Sequence, residues 1–407
     1  MPPTKLRRAH RIAVTGLLLV GATAAIPAAA TPAAAIPAAA IPAIATPAIA
    51  GTYDVSAPCA GGSLSYTPLD VSAPAAAQTR HVVAADLDGD GAQDVVAANL
   101  DADSVTVLLG DGDGDGGFAE GVTYPVGTRP YQTVVADFDG DGRPDLATAD
   151  FGGAQVSVLL NQGDGSFGVA SAIDVGASPR ALATGDLDGD GTPDLVVAEQ
   201  GPSTVRVLLG NGDGAFADQG QTATGSQPHG VVVGDFDGDG TADVATASVG
   251  GAGVSVLPGD GTGGLGDSTE YAAASRLYSL AEGDFDGDGD LDLATVSNGS
   301  DVLDVLLGDG DGTFAAATAY AVGALPVAVG AADLDGDGLT DLMVSSLRGN
   351  SVTLFQGAAD GELTALAELS ATGAYDATAA DLDGDGVSDL AVANSSEGQV
   401  DVFKGSC

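Results

Sequence analysis

Basic residues are scarce in this sequence, and their scarcity excludes several classes of partner. The 407 residues contain only 12 Lys and Arg against 57 Asp and Glu, a formal net charge of -45 at pH 7. Binding to a nucleic-acid backbone requires clustered Lys and Arg that displace counterions from the phosphates. Docking on an anionic lipid surface requires similar basic clusters. We therefore expect neither nucleic acid nor a lipid surface among the partners.

Tryptophan is absent, and histidine and cysteine are few. Beyond the first 50 residues the only histidines are His81 and His229, and the only cysteines are Cys59 and Cys407. A zinc site usually needs three or four Cys and His ligands, so this set argues against zinc. Neither a Ser-His-Asp spacing nor a phosphate-cradling loop is visible. The sequence therefore shows no signature of a common catalytic centre.

The first 58 residues differ from the rest of the chain. Residues 1–30 carry four Lys and Arg between positions 5 and 11, continue with an apolar run and end in small residues, which predicts a secretory signal peptide. An uncleaved membrane anchor is the alternative, but the apolar run is short for a bilayer span. Residues 31–58 repeat Ala-Ile-Pro-Ala phrases and predict an extended linker. We expect a released extracellular monomer without a membrane span, with the periplasm or cell surface as alternatives.

One acidic phrase recurs seven times from residue 80 onward. It reads D-[LF]-D-G-D-G-x-x-D-[LV], and its first residues are Asp86, Asp137, Asp186, Asp235, Asp284, Asp333 and Asp381. Successive starts are separated by 51, 49, 49, 49, 49 and 48 residues. Such a regular period indicates a repeat protein.

Each repeat contains four short apolar segments separated by Gly, Asp and Asn. In the first repeat they lie at 82–85, 94–98, 104–109 and about 118–126. No helical period is sustained, so these segments predict strands joined by hairpins. Repeats of about 50 residues with four strands are typical of β-propeller blades. We therefore predict an all-β, seven-bladed β-propeller over residues 59–407; an open β-solenoid, whose coils are usually shorter, is the alternative.

The two ends of the repeat region complete each other. The last repeat ends after its third strand, and residues 62–74 resemble the missing fourth strand. We therefore expect the N-terminal strand to complete the seventh blade beside residues 400–404. This arrangement brings Cys59 and Cys407 into one turn and predicts a disulfide between them, because secreted proteins oxidise paired cysteines. Two unrelated thiols are the alternative.

Each acidic phrase is predicted to bind Ca²⁺. Asp stands at positions 1, 3, 5 and 9, and Gly at positions 4 and 6 permits a tight turn. Ca²⁺ takes about six to eight oxygens from carboxylates, carbonyls and water, so we add the carbonyl of position 7. Asp-Gly turns without metal are the alternative, but four carboxylates in nine residues repel one another and need compensating charge. Mg²⁺ is disfavoured because it retains its waters.

About seven calcium sites are expected on this basis. The predicted ligands at positions 1, 3, 5, 7 and 9 are, in chain order, Asp86, Asp88, Asp90, Ala92, Asp94, Asp137, Asp139, Asp141, Arg143, Asp145, Asp186, Asp188, Asp190, Thr192, Asp194, Asp235, Asp237, Asp239, Thr241, Asp243, Asp284, Asp286, Asp288, Asp290, Asp292, Asp333, Asp335, Asp337, Leu339, Asp341, Asp381, Asp383, Asp385, Val387 and Asp389. Shorter Gly-Asp phrases, such as the one at Asp111, are interpreted as hairpin turns without metal.

The acidic phrase, together with downstream turns such as residues 209–216, resembles the FG-GAP/VCBS repeat family. Those repeats resemble the blades of the integrin α-subunit propeller. The resemblance covers about 345 residues and implies a seven-bladed propeller with calcium between strands one and two of each blade, bound by positions 1, 3, 5 and 9. Integrins fill only some blades, whereas all seven phrases here keep every carboxylate. An integrin-like signalling role is not implied, because no inserted metal-binding domain is visible.

Basic and tyrosine side chains are predicted to gather at the opposite mouth of the propeller channel. Six of them lie six residues before an acidic phrase, near the start of a first strand, and two precede them in connectors. The predicted rim contains Arg80, Arg129, Tyr131, Arg180, His229, Arg276, Tyr278 and Tyr375. Arg and Tyr suit an anionic or polyhydroxylated ligand. The alternative is that these side chains only pack and solvate the blade junctions.

Two functions fit this sequence. The first, which we favour, is a secreted calcium-binding module that binds or adheres to an extracellular glycan or protein without catalysis. The second is an extracellular polysaccharide lyase or a related carbohydrate-active enzyme, with Tyr131 or His229 as base and Arg180 stabilising the developing charge. The lack of Trp for stacking on sugars favours the first function.

Overall fold

A computed structural model of the protein describes residues 64–74, 78–251 and 253–407. They form 28 β-strands and one short 3₁₀ helix, Leu100–Ala102. The predicted signal peptide and linker, residues 1–58, lie outside the described residues, as does Cys59. The disulfide between Cys59 and Cys407 therefore stays a prediction. Within the described residues, no helix has the length and apolar character needed to cross a membrane.

The strands form seven antiparallel sheets of four strands each. In chain order they are β1 (Ser65–Pro74); β2 (Thr79–Ala85), β3 (Asp94–Asn99), β4 (Ser104–Leu108) and β5 (Val122–Pro125); β6 (Pro130–Ala136), β7 (Asp145–Asp150), β8 (Gln155–Leu159) and β9 (Ser171–Asp174); β10 (Pro179–Gly185), β11 (Asp194–Glu199), β12 (Thr204–Gly210) and β13 (Phe216–Ala223); β14 (Pro228–Gly234), β15 (Asp243–Ser248), β16 (Gly253–Leu257) and β17 (Thr269–Ala272); β18 (Leu277–Gly283), β19 (Asp292–Ser297), β20 (Val302–Leu306) and β21 (Thr318–Ala321); β22 (Pro326–Ala332), β23 (Asp341–Ser346), β24 (Ser351–Gln356) and β25 (Thr364–Ser370); β26 (Ala374–Ala380), β27 (Asp389–Asn394) and β28 (Gln399–Ser406).

The sheets are the blades of a closed ring. The first strand of each blade contacts the first strand of the next blade, and the contact between β2 and β26 closes the circle. These inner strands, β2, β6, β10, β14, β18, β22 and β26, surround a central channel. The predicted seven-bladed β-propeller is confirmed, and the open solenoid is wrong.

The seventh blade combines both ends of the described chain. Its strand order is β1-β28-β27-β26, so the N-terminal strand is its outer strand. β1 runs antiparallel to β28, with Thr67 opposite Lys404 and Ser65 opposite Ser406. The predicted completion of the last blade by the N-terminal strand is confirmed.

The hydrophobic core lies between neighbouring blades. Every residue of the second strands β3, β7 and β11 is buried, because each of these strands is covered on both faces by adjacent sheets. Such strands need nearly continuous apolar sequence, which explains runs such as residues 95–98. The apolar residues at positions 2 and 10 of every acidic phrase are also buried, at most 5% exposed. They anchor both ends of each acidic loop in the core.

Candidate metal loops and channel cluster

Each acidic loop joins the first and second strands of a blade, and its backbone wraps around its own carboxylates. In the first loop, Asp86 accepts hydrogen bonds from the N–H groups of Gly89 and Gly91, at 2.7 and 3.1 Å. Asp88 accepts from the N–H of Asp90 at 3.1 Å. Gly89 and Gly91 have φ of 77° and 93°, in the left-handed region that favours glycine. The two glycines of the phrase are therefore required by the turn itself.

The loop carboxylates converge closely enough to share a cation. In several loops, three carboxylate oxygens lie within 4.8 Å of one another. These sets include Asp86, Asp88 and Asp90; Asp137, Asp139 and Asp145; Asp186, Asp188 and Asp194; and Asp235, Asp237 and Asp239. Two oxygens bound to one Ca²⁺ at about 2.3–2.6 Å lie no more than about 5 Å apart. The spacing and the all-oxygen donor set therefore fit Ca²⁺.

The turn between the third and fourth strands of the first blade gathers a further acidic cluster. Asp111, Asp113 and Asp115 place carboxylate oxygens within 4.8 Å of one another, and all three side chains are exposed. Exposed acidic side chains often cluster without a metal ion. The interpretation of this segment as a metal-free hairpin turn therefore stays a prediction.

Position 9 has a structural role beyond the metal binding predicted from the acidic phrase. In the third blade, Asp194 is fully buried. Its Oδ2 accepts from the N–H of Leu187 at 2.7 Å, and its Oδ1 accepts from the N–H of Gly210 at 2.8 Å. Leu187 belongs to the acidic loop and Gly210 ends the third strand, so one carboxylate ties the two together.

The same pair of hydrogen bonds recurs in all seven blades. The carboxylates are those of Asp94, Asp145, Asp194, Asp243, Asp292, Asp341 and Asp389. The second donor always lies 16 residues after position 9, and it is Gly in every blade except the second, where it is Asn161. A Cβ at Gly210 would lie 2.4 Å from the carbonyl oxygen of Pro193. This glycine, 16 residues after position 9 in six of the seven blades, is the sequence signal from which the contact could have been predicted.

Burial of the position 9 carboxyls raises their pKa well above the ordinary value of 3.8. The pKa rises to about 7 for Asp94 and Asp292. It rises to about 6 for Asp145, Asp194, Asp243, Asp341 and Asp389. Burial is the main cause; the two N–H donors oppose it, and neighbouring loop carboxylates raise the pKa further. At neutral pH without metal, Asp94 and Asp292 are therefore only partly ionised, and a bound cation would favour the ionised form of all seven carboxyls.

These pKa shifts predict an unusual pH dependence for the calcium-free protein. A carboxyl whose folded pKa is raised binds more protons folded than unfolded between about pH 4 and pH 7. The free energy of unfolding should therefore fall as pH rises through this window, and the melting temperature should be higher at about pH 5 than at about pH 8. With calcium in excess the trend should reverse, because the metal binds the ionised carboxylates.

Calorimetry of chelator-dialysed protein, with and without added calcium, measures both pH trends. A melting temperature of the calcium-free protein that rises from pH 5 to pH 8 would contradict the prediction. A matched control is the variant Glu397→Gln, which removes an exposed carboxyl outside the acidic loops and should leave the slope unchanged.

Two acidic loops have a basic side chain beside them. In the seventh loop, Lys404 Nζ contacts Asp383 Oδ2 and lies 3.2 Å from Asp385 Oδ2. In the second loop, the Arg143 guanidinium contacts Asp141 and also donates to the carbonyl of Asn161 at 3.2 Å. These cations neutralise part of the charge that a metal ion would neutralise. The seven loops are therefore not equivalent.

The structure brings six of the eight predicted rim residues together. They line a cavity of about 110 Å³ in the central channel, and each is the second residue of an inner strand. We call these six residues the channel cluster: Arg80, Tyr131, Arg180, His229, Tyr278 and Tyr375. The acidic loops follow the last residues of the same strands, so the cluster and the loops lie at opposite ends of the channel.

The other two rim residues lie outside the channel cluster. Arg129 is exposed, and its guanidinium carbon lies 5.7 Å from the centre of the Phe151 ring. Arg276 is also exposed and donates from Nε to Asn298 Oδ1 at 3.1 Å. Both residues occupy connectors between blades, before the inner strands begin.

Arg180 is the centre of the channel cluster. It is only 6% exposed, and its Nε donates to the His229 ring, at 3.1 Å from Nδ1 and 3.2 Å from Nε2. Its guanidinium carbon lies 3.3 Å from the centre of the Tyr131 ring, a cation–π contact, and Nη2 donates to the Tyr375 hydroxyl at 3.4 Å. Burial, reinforced by the positive charge of Arg180, lowers the pKa of His229 to about 2. His229 is therefore neutral and able to accept the hydrogen bond.

Comparison with protein families gives one match that recurs along the chain. The profile of the FG-GAP-like repeat matches residues 86–148, 138–197, 186–246, 284–344 and 333–392. Each match begins at or within an acidic phrase and reaches the second strand of the following blade. A comparison with curated protein sequences found no match.

Solved propellers share the architecture at low sequence identity. BBS1N, in a crystal structure of its complex with ARL6DN, is 14% identical with a TM-score of 0.58, over 81% of this chain and 93% of that one. A lectin from Agrocybe aegerita that recognises non-reducing terminal N-acetylglucosamine is 22% identical with a TM-score of 0.51, over 81% and 86%. A protein from Lactobacillus plantarum is 18% identical with a TM-score of 0.56, over 74% and 86%. At such identities the similarity shows the fold alone.

Proposed function

The chain belongs to the FG-GAP-like repeat family, and from this membership we propose that it is a secreted, calcium-binding β-propeller. In this proposal it acts as a non-catalytic binding or adhesion module for an extracellular glycan or protein. The observation that carries the proposal is the convergence of loop carboxylates to within 4.8 Å, repeated around the ring. The predicted signal peptide supports secretion.

The acidic loops are the proposed calcium sites. Positions 1, 3 and 5 of each phrase offer the more exposed carboxylates, whereas position 9 offers the lone pairs that its two N–H donors leave free. Bound calcium would supply the positive charge that the clustered carboxylates lack. We expect bound calcium to stabilise the folded ring and to make the acidic loops at that end of the channel rigid.

The seventh loop is expected to bind calcium more weakly than the five loops that have no basic side chain beside them. Lys404 must leave Asp383 and Asp385 before an ion can bind there. Replacing it by Gln (Lys404→Gln) removes this competing charge and should tighten the weakest calcium site by about tenfold. Calcium titration by isothermal calorimetry, with the free concentration set by a chelator buffer, measures the change.

The matched control for this variant is Arg206→Gln. Arg206 pairs with Glu199 and Asp218, outside the acidic loops, so its loss removes the same charge without affecting a proposed site. An equal change of the weakest site in both variants would show that the effect is only general electrostatics. Such a result would contradict the specific role of Lys404.

The channel cluster is the proposed ligand site. It combines two arginines and three tyrosines in a concave, partly open cavity, which suits polar or anionic ligands. The decisive experiment is a glycan and protein array probed with calcium-loaded protein. Binding that is lost when Arg180 and Tyr278 are both replaced would support the proposal, whereas binding that is unchanged would place the ligand elsewhere.

An extracellular polysaccharide lyase is the alternative function. The observation that favours it is the proximity of Tyr131, Arg180 and His229, which combines two possible proton acceptors with a cation. The lowered pKa of His229 keeps it neutral but makes it a weaker base than an ordinary histidine. Incubation with acidic polysaccharides, followed by ultraviolet absorbance of unsaturated products, separates the two functions. Product formation that disappears on replacing His229 by Gln would favour the enzyme.

A further inference from the structure

We propose that the channel cluster binds a single carboxylate group, held by Arg180 and Arg80. This inference rests on the ligand-binding role proposed above for the same residues, and it specifies the chemistry of the ligand. The carboxylate belongs either to a small organic acid or to an acidic sugar. Both sources present the same planar monoanion to the two guanidinium groups.

The first argument is the presence of buried donors without acceptors. Nη1 of Arg180 and Nε of Arg80 are buried, and neither has a hydrogen-bond partner among the described residues. Among the residues that the structure describes, no carboxylate oxygen lies within 4.0 Å of the guanidinium group of Arg180 or of Arg80. Burying an unpaired cation is costly, most of all for Arg180, which is 6% exposed. An anionic ligand would supply the missing acceptor.

The second argument is the local charge. The titratable residues lining the cavity besides the tyrosines are Arg80, His81, Arg180, His229 and Asp376. The Asp376 carboxylate already accepts from the N–H of Val82 at 3.1 Å and lies 3.5 Å from His81 Nε2. With His229 neutral, the two arginines leave an excess of positive charge even when Asp376 is ionised. The cavity therefore matches a monoanion.

The contacts of Tyr375 show where in the cavity the two arginines act together. Burial of its hydroxyl opposes ionisation, but the positive charges of Arg180 and Arg80 outweigh burial and lower its pKa below the ordinary value. The guanidinium carbon of Arg80 lies 4.2 Å from the centre of the Tyr375 ring. The two arginines thus stabilise negative charge at this place in the channel.

The acidity of the whole protein limits the size and charge of the ligand. Acidic residues outnumber basic ones almost fivefold, so the long-range field repels polyanions. A cavity of about 110 Å³ has room for only a small chemical group, because a single buried water already occupies about 10–15 Å³ of such a cavity. A lone carboxylate on an otherwise neutral molecule meets both limits, whereas a phosphate dianion exceeds the local positive charge.

The test is calorimetric titration of the calcium-loaded, full-length mature protein with sodium acetate and sodium glucuronate. Acetamide and glucose are the neutral partners, and each resembles its acid in shape. We expect at least one carboxylate to bind with a Kd of about 1 mM or tighter, a modest value for so few atoms. The matched neutral compound should bind at least about tenfold more weakly. Preference for acetate or for glucuronate identifies the free acid or the acidic sugar as the source.

Two variants and one control locate the site. Arg180→Gln and Arg80→Gln should each weaken carboxylate binding by about tenfold or more. Arg276→Gln removes an exposed arginine outside the cavity and should change the affinity less than about twofold. Arg80 is only half-buried, so Arg80→Gln remains informative if Arg180→Gln fails to fold.

Three results would overturn the inference: no binding of either carboxylate, equal binding of acetate and acetamide, or unchanged affinity in Arg80→Gln together with a folded Arg180→Gln. The proposed function has a separate readout. A glycan or protein captured on the array through Arg180 and Tyr278 would stand even if both carboxylates fail to bind. In that case only the carboxylate chemistry would be wrong.

Discussion

Removal of calcium should lower the melting temperature of the mature protein by about 20 °C or more. Each site saturated at a hundredfold excess over its Kd stabilises the folded state by about 2.7 kcal/mol. Seven proposed sites would contribute together, and in the loops that begin at Asp86, Asp137, Asp186 and Asp235 carboxylate oxygens lie within 4.8 Å of one another without the metal. Differential scanning calorimetry before and after exhaustive dialysis against a chelator measures the effect.

Two additions distinguish calcium from a general charge effect. Restoring calcium in the micromolar to millimolar range should recover the original melting temperature, whereas equal magnesium should recover only a small part. Elemental analysis of protein purified without chelator should find several equivalents of calcium. Identical melting temperatures with and without chelator, combined with metal-free elemental analysis, would overturn the proposed calcium role.

Replacing Asp194 by Ala should destabilise the protein by about 2–5 kcal/mol whether or not calcium is present. The change leaves the N–H groups of Leu187 and Gly210 without their acceptor. An unsatisfied buried donor costs about 1–3 kcal/mol. Urea denaturation in chelator, followed by circular dichroism, measures the loss.

Asp188→Ala, in the same acidic loop, is the matched control. Asp188 is only partly buried, and its carboxylate accepts one hydrogen bond, from the N–H of Asp190 at 3.2 Å. In chelator this variant should be nearly neutral, because it also relieves repulsion within the loop; in calcium it should destabilise the protein through loss of a ligand. Equal destabilisation of the two variants in chelator would show that position 9 has no separate structural role.

The architecture of the ring was predictable because its determinants are local and periodic. The spacing of the acidic phrases defines the blades, and the apolar residues at positions 2 and 10 identify the anchors on either side of each loop. The partial match of residues 62–74 to the fourth strands was enough to predict that the N-terminal strand completes the last blade. Each of these features can be read from residues that are near one another in the chain, or from a repeat of the same phrase.

The contacts that the sequence did not reveal depend on side-chain directions and on pairings between distant residues. The contact of Lys404 with Asp383 follows from the pairing of strands in the seventh blade, and no periodic pattern marks it. Arg129 and Arg276 precede inner-strand residues by only one or two positions, yet they have φ of 58° and 62° in their connectors. At these left-handed turns their side chains remain at the surface instead of joining the channel cluster.

The pairing of β1 with β28 has a consequence for biosynthesis. Ser65 and Ser406 form a hydrogen bond although they are 341 positions apart in the sequence, so the first strand has no partner until translation of the last one is complete. Six blades can form in order as the polypeptide emerges, but the final sheet requires β28, and contacts between such distant residues form slowly. A truncated product would keep an unpaired edge on its first strand, which quality-control proteases and aggregation could exploit. Completion of the ring thus requires that both β1 and β28 have been synthesised.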